Sequence, residues 1–209
     1  MIISEIYKTL GIPPNLQQHM LRVTSVALFI VKNWKGPELN PETLKTMLLL
    51  HDVGNIVRFD FEKHPEFLGD EVKRIDFWKK RQKENIVKYG TDDHEATVSM
   101  LNELGISEET KERIYQMGYW NVKEVKNSTD WYLKIALYAD LRVGPFGILT
   151  LQERIDDIHT RIEKYKTKPE LMGFSQELEN QIQSNVCIPV SSIDNNSISI
   201  NNDLLNHSL

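Results

Sequence analysis

One cysteine, Cys187, among 209 residues rules out an internal disulfide, so the chain reads as one made for a reducing, cytoplasmic compartment. Long apolar runs are missing as well. The longest, Met47 to Leu50 with its flanks, is far too short to span a bilayer, and Met1-Ile2-Ile3-Ser4-Glu5 lacks the basic-then-apolar pattern of a signal peptide. A soluble protein without a membrane partner is therefore expected. Basic residues are not in excess: 25 Lys and Arg stand against 30 Asp and Glu, a net charge of −5. That balance argues against broad capture of a long nucleic-acid backbone, while leaving room for a local basic pocket that holds one phosphate. With only ten glycines and 40% apolar residues, the composition is that of a globular domain with a sizeable core.

What is present is helical periodicity almost throughout. Leu16, Met20, Val23, Ala27, Ile30 and Trp34 recur every three or four residues and predict a helix from about Asn15 to Trp34. Gly36-Pro37 breaks it. Asn40 as N-cap and Pro41 at the first helical position open a second helix through Leu44–Leu50, apolar on most sides and so central, with Gly54 read as its stop. Residues 55–69 look irregular. A charged helix over about Asp70–Tyr89 is expected to turn Val72, Ile75 and Val87 inward. Thr91 or Asp92 caps the next helix, which stops at Gly105, and Ser107 starts another to about Met117. Asp130 caps an apolar helix over Trp131–Val143. Thr150 and Glu153 form a capping box for Leu151 to about Lys166, and a last helix spans about Ser175–Asn185. The Ser/Asn-rich end keeps Ile193, Ile198, Ile200, Leu204 and Leu205, which predicts partial docking. The fold class is all-α: a helical domain over residues 1–170, followed by a C-terminal helix and tail over 171–209.

The informative feature is polar residues in apolar places. His19 lies between Leu16 and Val23 on the buried stripe of its helix. His51 and Asp52 follow Met47-Leu48-Leu49-Leu50 directly. Asp140 comes four residues after Ala136 on the buried side of its helix. An uncompensated carboxylate in such surroundings costs about 3–5 kcal/mol. Taken singly, each residue is more simply a hydrogen-bonded core group. Taken together, two imidazoles and two carboxylates on three core helices call for a shared partner, and a divalent cation is one. The mixed nitrogen and oxygen set suits Mn, Fe(II), Co or Mg better than Zn. Such an ion would acidify a water and offset charge on a phosphoryl group.

At these residues the chain resembles the HD-domain superfamily of metal-dependent phosphohydrolases: a His on an early helix (His19 in QQHMLRVTSVA), a His-Asp doublet (His51 and Asp52 in LLLHDVGN) and a distant Asp (Asp140 in LYADLRVGP). The resemblance covers about residues 15–165. It implies an HD-domain helical bundle, metal ligation by His19, His51, Asp52 and Asp140, and hydrolysis of a phosphate ester of a nucleotide or other small phosphorylated metabolite. Two departures stand out. Where some members carry an acidic or lysine residue after the doublet, this chain has Asn55, which can orient water but cannot act as a base. Binuclear members add two histidines before the last Asp; His94 matches the first, and residues 106–130 hold no second. One metal is therefore expected, with Asp52 and His94 as catalytic candidates.

Arg22, Arg58 and Asn55 are candidates for substrate contact, with structural ion pairing an equal reading for Arg22. His64 and His159 read as surface residues, Lys79-Lys80-Arg81 as a solvated face, and Arg142 as a neighbour able to orient Asp140. A homodimer is compatible with the reading. The alternatives are an HD-type nucleotide or metal sensor that has lost turnover, and a helical interaction module whose core polar groups pair among themselves.

Overall fold

The computed structural model describes all residues, 1–209. It contains ten α-helices and no β-strand; backbone pairing outside helices and turns is confined to three isolated bridges. The helices are α1 (Ile3–Leu10), α2 (Pro14–Lys32), α3 (Pro41–Leu50), α4 (Ile75–Tyr89), α5 (Asp93–Glu103), α6 (Glu108–Gln116), α7 (Val122–Asn127), α8 (Trp131–Asp140), α9 (Leu151–Arg161) and α10 (Glu170–Ser184). No helix is long and apolar enough to cross a membrane. Backbone contacts divide the chain into two compact units, residues 1–21, 46–115 and 202–209 in one, residues 22–45 and 116–201 in the other.

In the first unit, α1 buries Ile3, Ile6, Tyr7 and Leu10, spaced i, i+3, i+4, i+7, and ends at Gly11, whose φ of 68° suits glycine. The Tyr7 hydroxyl donates to the Leu49 carbonyl at 2.6 Å and lies 3.8 Å from the Met20 sulfur, tying α1 to α3 and to the first half of α2. After α3 the chain runs through a 3₁₀ segment, Val53–Arg58, against which both α4 and α5 pack. The chain end returns to α1. Ile3 N–H donates to the His207 carbonyl at 3.0 Å, and the His207 ring meets the Thr46 hydroxyl of α3 at 3.0 Å.

The inward face of α4 differs from expectation. Val72 and Val87 are 40% and 82% exposed, while Trp78 and Asn85 are buried. The reason is phase. A second 3₁₀ segment, Pro65–Arg74, broken at Gly69, precedes α4, so the helix starts only at Ile75. Its inward stripe is then Trp78 and Asn85, both buried, with Gln82 partly buried between them. The two amides bond main-chain carbonyls, Gln82 to Ile56 and Phe59 at 2.9 and 2.7 Å, Asn85 to Leu10 at 3.0 Å. A carboxamide with backbone partners competes for the interior with a valine that has none to offer.

In the second unit, α8 is buried from Leu133 through Ala139, and α10 packs on α7, α8 and α9. Asp130 caps α8, accepting from Leu133 N–H at 3.1 Å, and the Thr150–Glu153 capping box opens α9. The expected run to Val143 stops at Asp140: Leu141–Val143 form a turn, closed by Val143 N–H to the Asp140 carbonyl at 3.0 Å. Leu171, Leu178 and Ile182 of α10 are core residues of this unit.

Candidate metal centre

His19, His51 and Asp52 meet within the first unit. Asp52 Oδ2 lies 3.4 Å from His19 Nε2 and 3.6 Å from His51 Nε2, and the two imidazole centroids are 5.5 Å apart. His51 is buried, while His19 and Asp52 are partly exposed. His51 Nδ1 donates to the Leu48 carbonyl at 2.8 Å. That bond puts a proton on Nδ1 and orients the ring, so that Nε2 is the nitrogen available to a ligand.

Adjacent residues on an α-helix point about 100° apart, which would separate the doublet's side chains. The structure resolves this by ending α3 at Leu50, one residue before the doublet, with Asp52 in a non-helical conformation (φ −118°, ψ 16°). Gly54 is not the helix stop. Its φ is not positive, and its role is close approach to α5. A Cβ there would fall 2.5 Å from Thr97 N and closer still to Asp93 O, while its own N–H donates to Thr97 Oγ1 at 3.1 Å. Glycine lets the turn that carries the doublet lie directly on the first turn of α5.

The donor set suits a cation. Two donors each about 2.1 Å from one ion, at roughly right or tetrahedral angles, stand about 3.0–3.4 Å apart. The separation from Asp52 Oδ2 to His19 Nε2, 3.4 Å, falls at the end of that range, and the one to His51 Nε2, 3.6 Å, is 0.2 Å longer.

The remaining candidates lie as follows. Asn55 follows Asp52 in the same turn, its N–H donating to the Asp52 carbonyl at 3.0 Å. His94 stands in the first turn of α5, where Asp92 accepts from His94 and Glu95 N–H, both at 3.0 Å, and its ring faces Tyr115. The Glu95 N–H bond, helped by that of His94, holds the Asp92 carboxyl below its usual pKa against the opposing effect of burial. Arg58 forks onto Asp93 at 2.9 and 3.0 Å and borders an open hollow with Phe59, Asp60 and Lys79. Arg22, one turn beyond His19 on α2, is half-buried, and burial alone pulls its guanidinium below the ordinary value. The expectation of a structural ion pair for Arg22 has no carboxylate to support it. Asp140 closes α8 in the second unit, partly buried.

Three secondary readings are corrected or refined. Arg142 makes no direct bond to the Asp140 carboxylate. Its guanidinium is spent on the Leu149, Val190 and Ile193 carbonyls and the Tyr138 hydroxyl. His159 is not a free surface residue but meets Tyr119 Oη at 3.1 Å. His64 pairs with Glu66 at 3.0 Å and stacks on Phe67, as a surface role implies. Tyr7 and His207 were missed. The i, i+3, i+4, i+7 spacing of Ile3, Ile6, Tyr7 and Leu10 would have disclosed α1, whereas nothing local marks His207.

A family model described as HD domain matches residues 16–136, more than half of the chain and inclusive of His19, His51 and Asp52. The chain belongs to the HD-domain family. The all-α architecture agrees with that membership. No curated protein and no solved structure gives a match. The HD-domain match ends four residues before Asp140.

Proposed function

We propose that this HD domain holds one divalent cation through His19, His51, Asp52 and Asp140 and hydrolyses a phosphate ester, a nucleotide or another small phosphorylated metabolite. The observation that carries the reading is the convergence of Asp52 Oδ2 on two imidazole Nε2 atoms, in a chain of a family of metal-binding hydrolases. In this proposal Asp140, the distant Asp of the resemblance, is the further carboxylate of a mixed nitrogen and oxygen donor set. Mn, Fe(II), Co and Mg suit that set better than Zn. A bound divalent ion supplies Lewis-acid polarisation of a phosphoryl oxygen and acidification of a water.

The chain's own residues supply the rest. In the reaction, a water oxygen bonds to phosphorus as the ester P–O bond breaks. One proton leaves the water and one reaches the departing oxygen. Asp52 and His94 are the proton-transfer residues of this proposal, since Asn55 can only orient water. Arg22 suits the phosphoryl oxygens: a half-buried guanidinium with no carboxylate beside it, one turn from His19, gains by meeting an anion. Arg58 stays on Asp93 through one nitrogen, which leaves donors for a substrate at the edge of the site.

The test is turnover by protein incubated with Mn, Co or Mg on a panel of nucleoside mono-, di- and triphosphates and a generic phosphomonoester. Product formation abolished by Asp52→Asn is expected. A folded, metal-bearing protein with no turnover on any of them overturns the enzyme reading, and nucleotide binding by calorimetry without product selects the sensor instead.

A further inference from the structure

The Ser/Asn-rich tail is fastened to the turn that follows Asp140, and the fastening is made of side chains. Arg142, 1% exposed, donates through Nε to the Leu149 carbonyl at 2.7 Å, through Nη1 to Val190 O at 2.9 Å and Tyr138 Oη at 2.7 Å, and through Nη2 to Ile193 O at 2.6 Å. Tyr138 Oη in turn donates to Glu179 at 2.9 Å. Asn195 clamps the far side of the same turn, its Oδ1 accepting from Ile148 N–H at 2.8 Å and its Nδ2 donating to Ile148 O at 3.1 Å. Gly147 lies so close beneath it that a Cβ there would meet Asn195 Oδ1 at 2.8 Å. Between the clamps, residues 142–149 form a closed loop: Leu149 N–H bonds Arg142 O, Gly144 N–H bonds Gly147 O, and Val143 bridges Ile148.

Burying a guanidinium among carbonyls is costly, and each of its bonds here goes to this turn, the tail or the last turns of α8. A cheaper apolar contact would have served for packing alone. What the arrangement adds is a fixed backbone directly behind Asp140, whose own carbonyl closes the first bond of the turn. We propose that residues 190–195 act as a strap, and that Arg142 and Asn195 are positioning residues that hold Asp140 ready to bind the cation. This rests on the reading of Asp140 as a ligand. Groups one shell out from a ligand typically shift metal affinity 10–100-fold when removed.

The experiment titrates Mn(II) alone, by calorimetry, into the unaltered protein, Asn195→Ala and Val125→Ala. Asn195 is exposed on the strap, so its loss removes two hydrogen bonds without opening the core. Val125 is a buried residue of the same unit, on α7 and not among the residues the strap bonds, and its truncation measures what general destabilisation does. The strap predicts a roughly tenfold or greater rise in the Mn(II) dissociation constant for Asn195→Ala, little change for Val125→Ala, and faster amide exchange at Gly144 and Leu149 in Asn195→Ala only. Unchanged affinity in Asn195→Ala, or an equal loss in both variants, overturns the strap while leaving the metal site standing. Failure of the unaltered protein to bind Mn(II) overturns the site reading and the strap with it.

Discussion

Gly54→Ala is the sharpest single perturbation of the site's scaffold. The added Cβ would sit 2.5 Å from Thr97 N. An ordinary contact is about 3.5–4.0 Å, so α5 must retreat by on the order of 1 Å or the 53–58 segment must rotate away. Overpacking of this kind costs about 1–3 kcal/mol. The shift also stretches the 3.1 Å bond from Gly54 N–H to Thr97 Oγ1, and a buried N–H left without its acceptor adds about 1–3 kcal/mol. Together these give roughly 2–6 kcal/mol, or a fall in melting temperature on the order of 4–24 °C for a chain of this size. Circular-dichroism melts read it. Thr97→Val, which keeps the volume and removes the hydroxyl, should lose only the hydrogen-bond part. Because Gly54 lies two residues after Asp52, the alanine variant should also bind metal more weakly, by about tenfold or more. A melting temperature within about 1 °C of the unaltered protein would refute the close-approach argument.

Tyr7→Phe removes the donor to the Leu49 carbonyl and should cost about 1–3 kcal/mol in a denaturant titration, with its effect felt at His51 two residues on. Burial raises the Tyr7 pKa, so the bond should be insensitive to pH across the neutral range. For Asp157, burial works against the charged form, but the hydrogen bond and charge of Arg161 and the charge of Arg154 outweigh it and lower the carboxyl's pKa. A depressed folded-state value means stability present above the unfolded value of about 4 and lost as pH falls through the folded one. Asp157→Asn should therefore melt lower at neutral pH and converge on the unaltered protein in acid; parallel curves at every pH would contradict this.

Much of the scaffold was legible because helix boundaries are local chemistry. Asn40-Pro41, Asp92, Asp130 and Thr150–Glu153 each act where the sequence puts them, since a cap needs only its own next three residues. The inward face of α4 was not legible. Gln82 and Asn85 turn inward to carbonyls of Ile56, Phe59 and Leu10, partners that no periodicity displays. At the site, the His-Asp doublet was visible from the burden of placing it after four apolar residues, but how its two side chains share one direction was not. That depended on α3 ending at Leu50 and on a glycine pressed against α5. The bonds of Arg142 were misjudged for a related reason: its acceptors sit about 50 residues away in a tail whose composition suggested only partial docking.

Metal content is the most direct measure of the central claim. Purified protein loaded with Mn or Co, desalted and assayed by elemental analysis beside His51→Ala, should hold close to one ion per chain, and the folded His51→Ala variant close to none. A folded unaltered protein that retains no metal, or a His51→Ala protein that retains as much, would contradict the account.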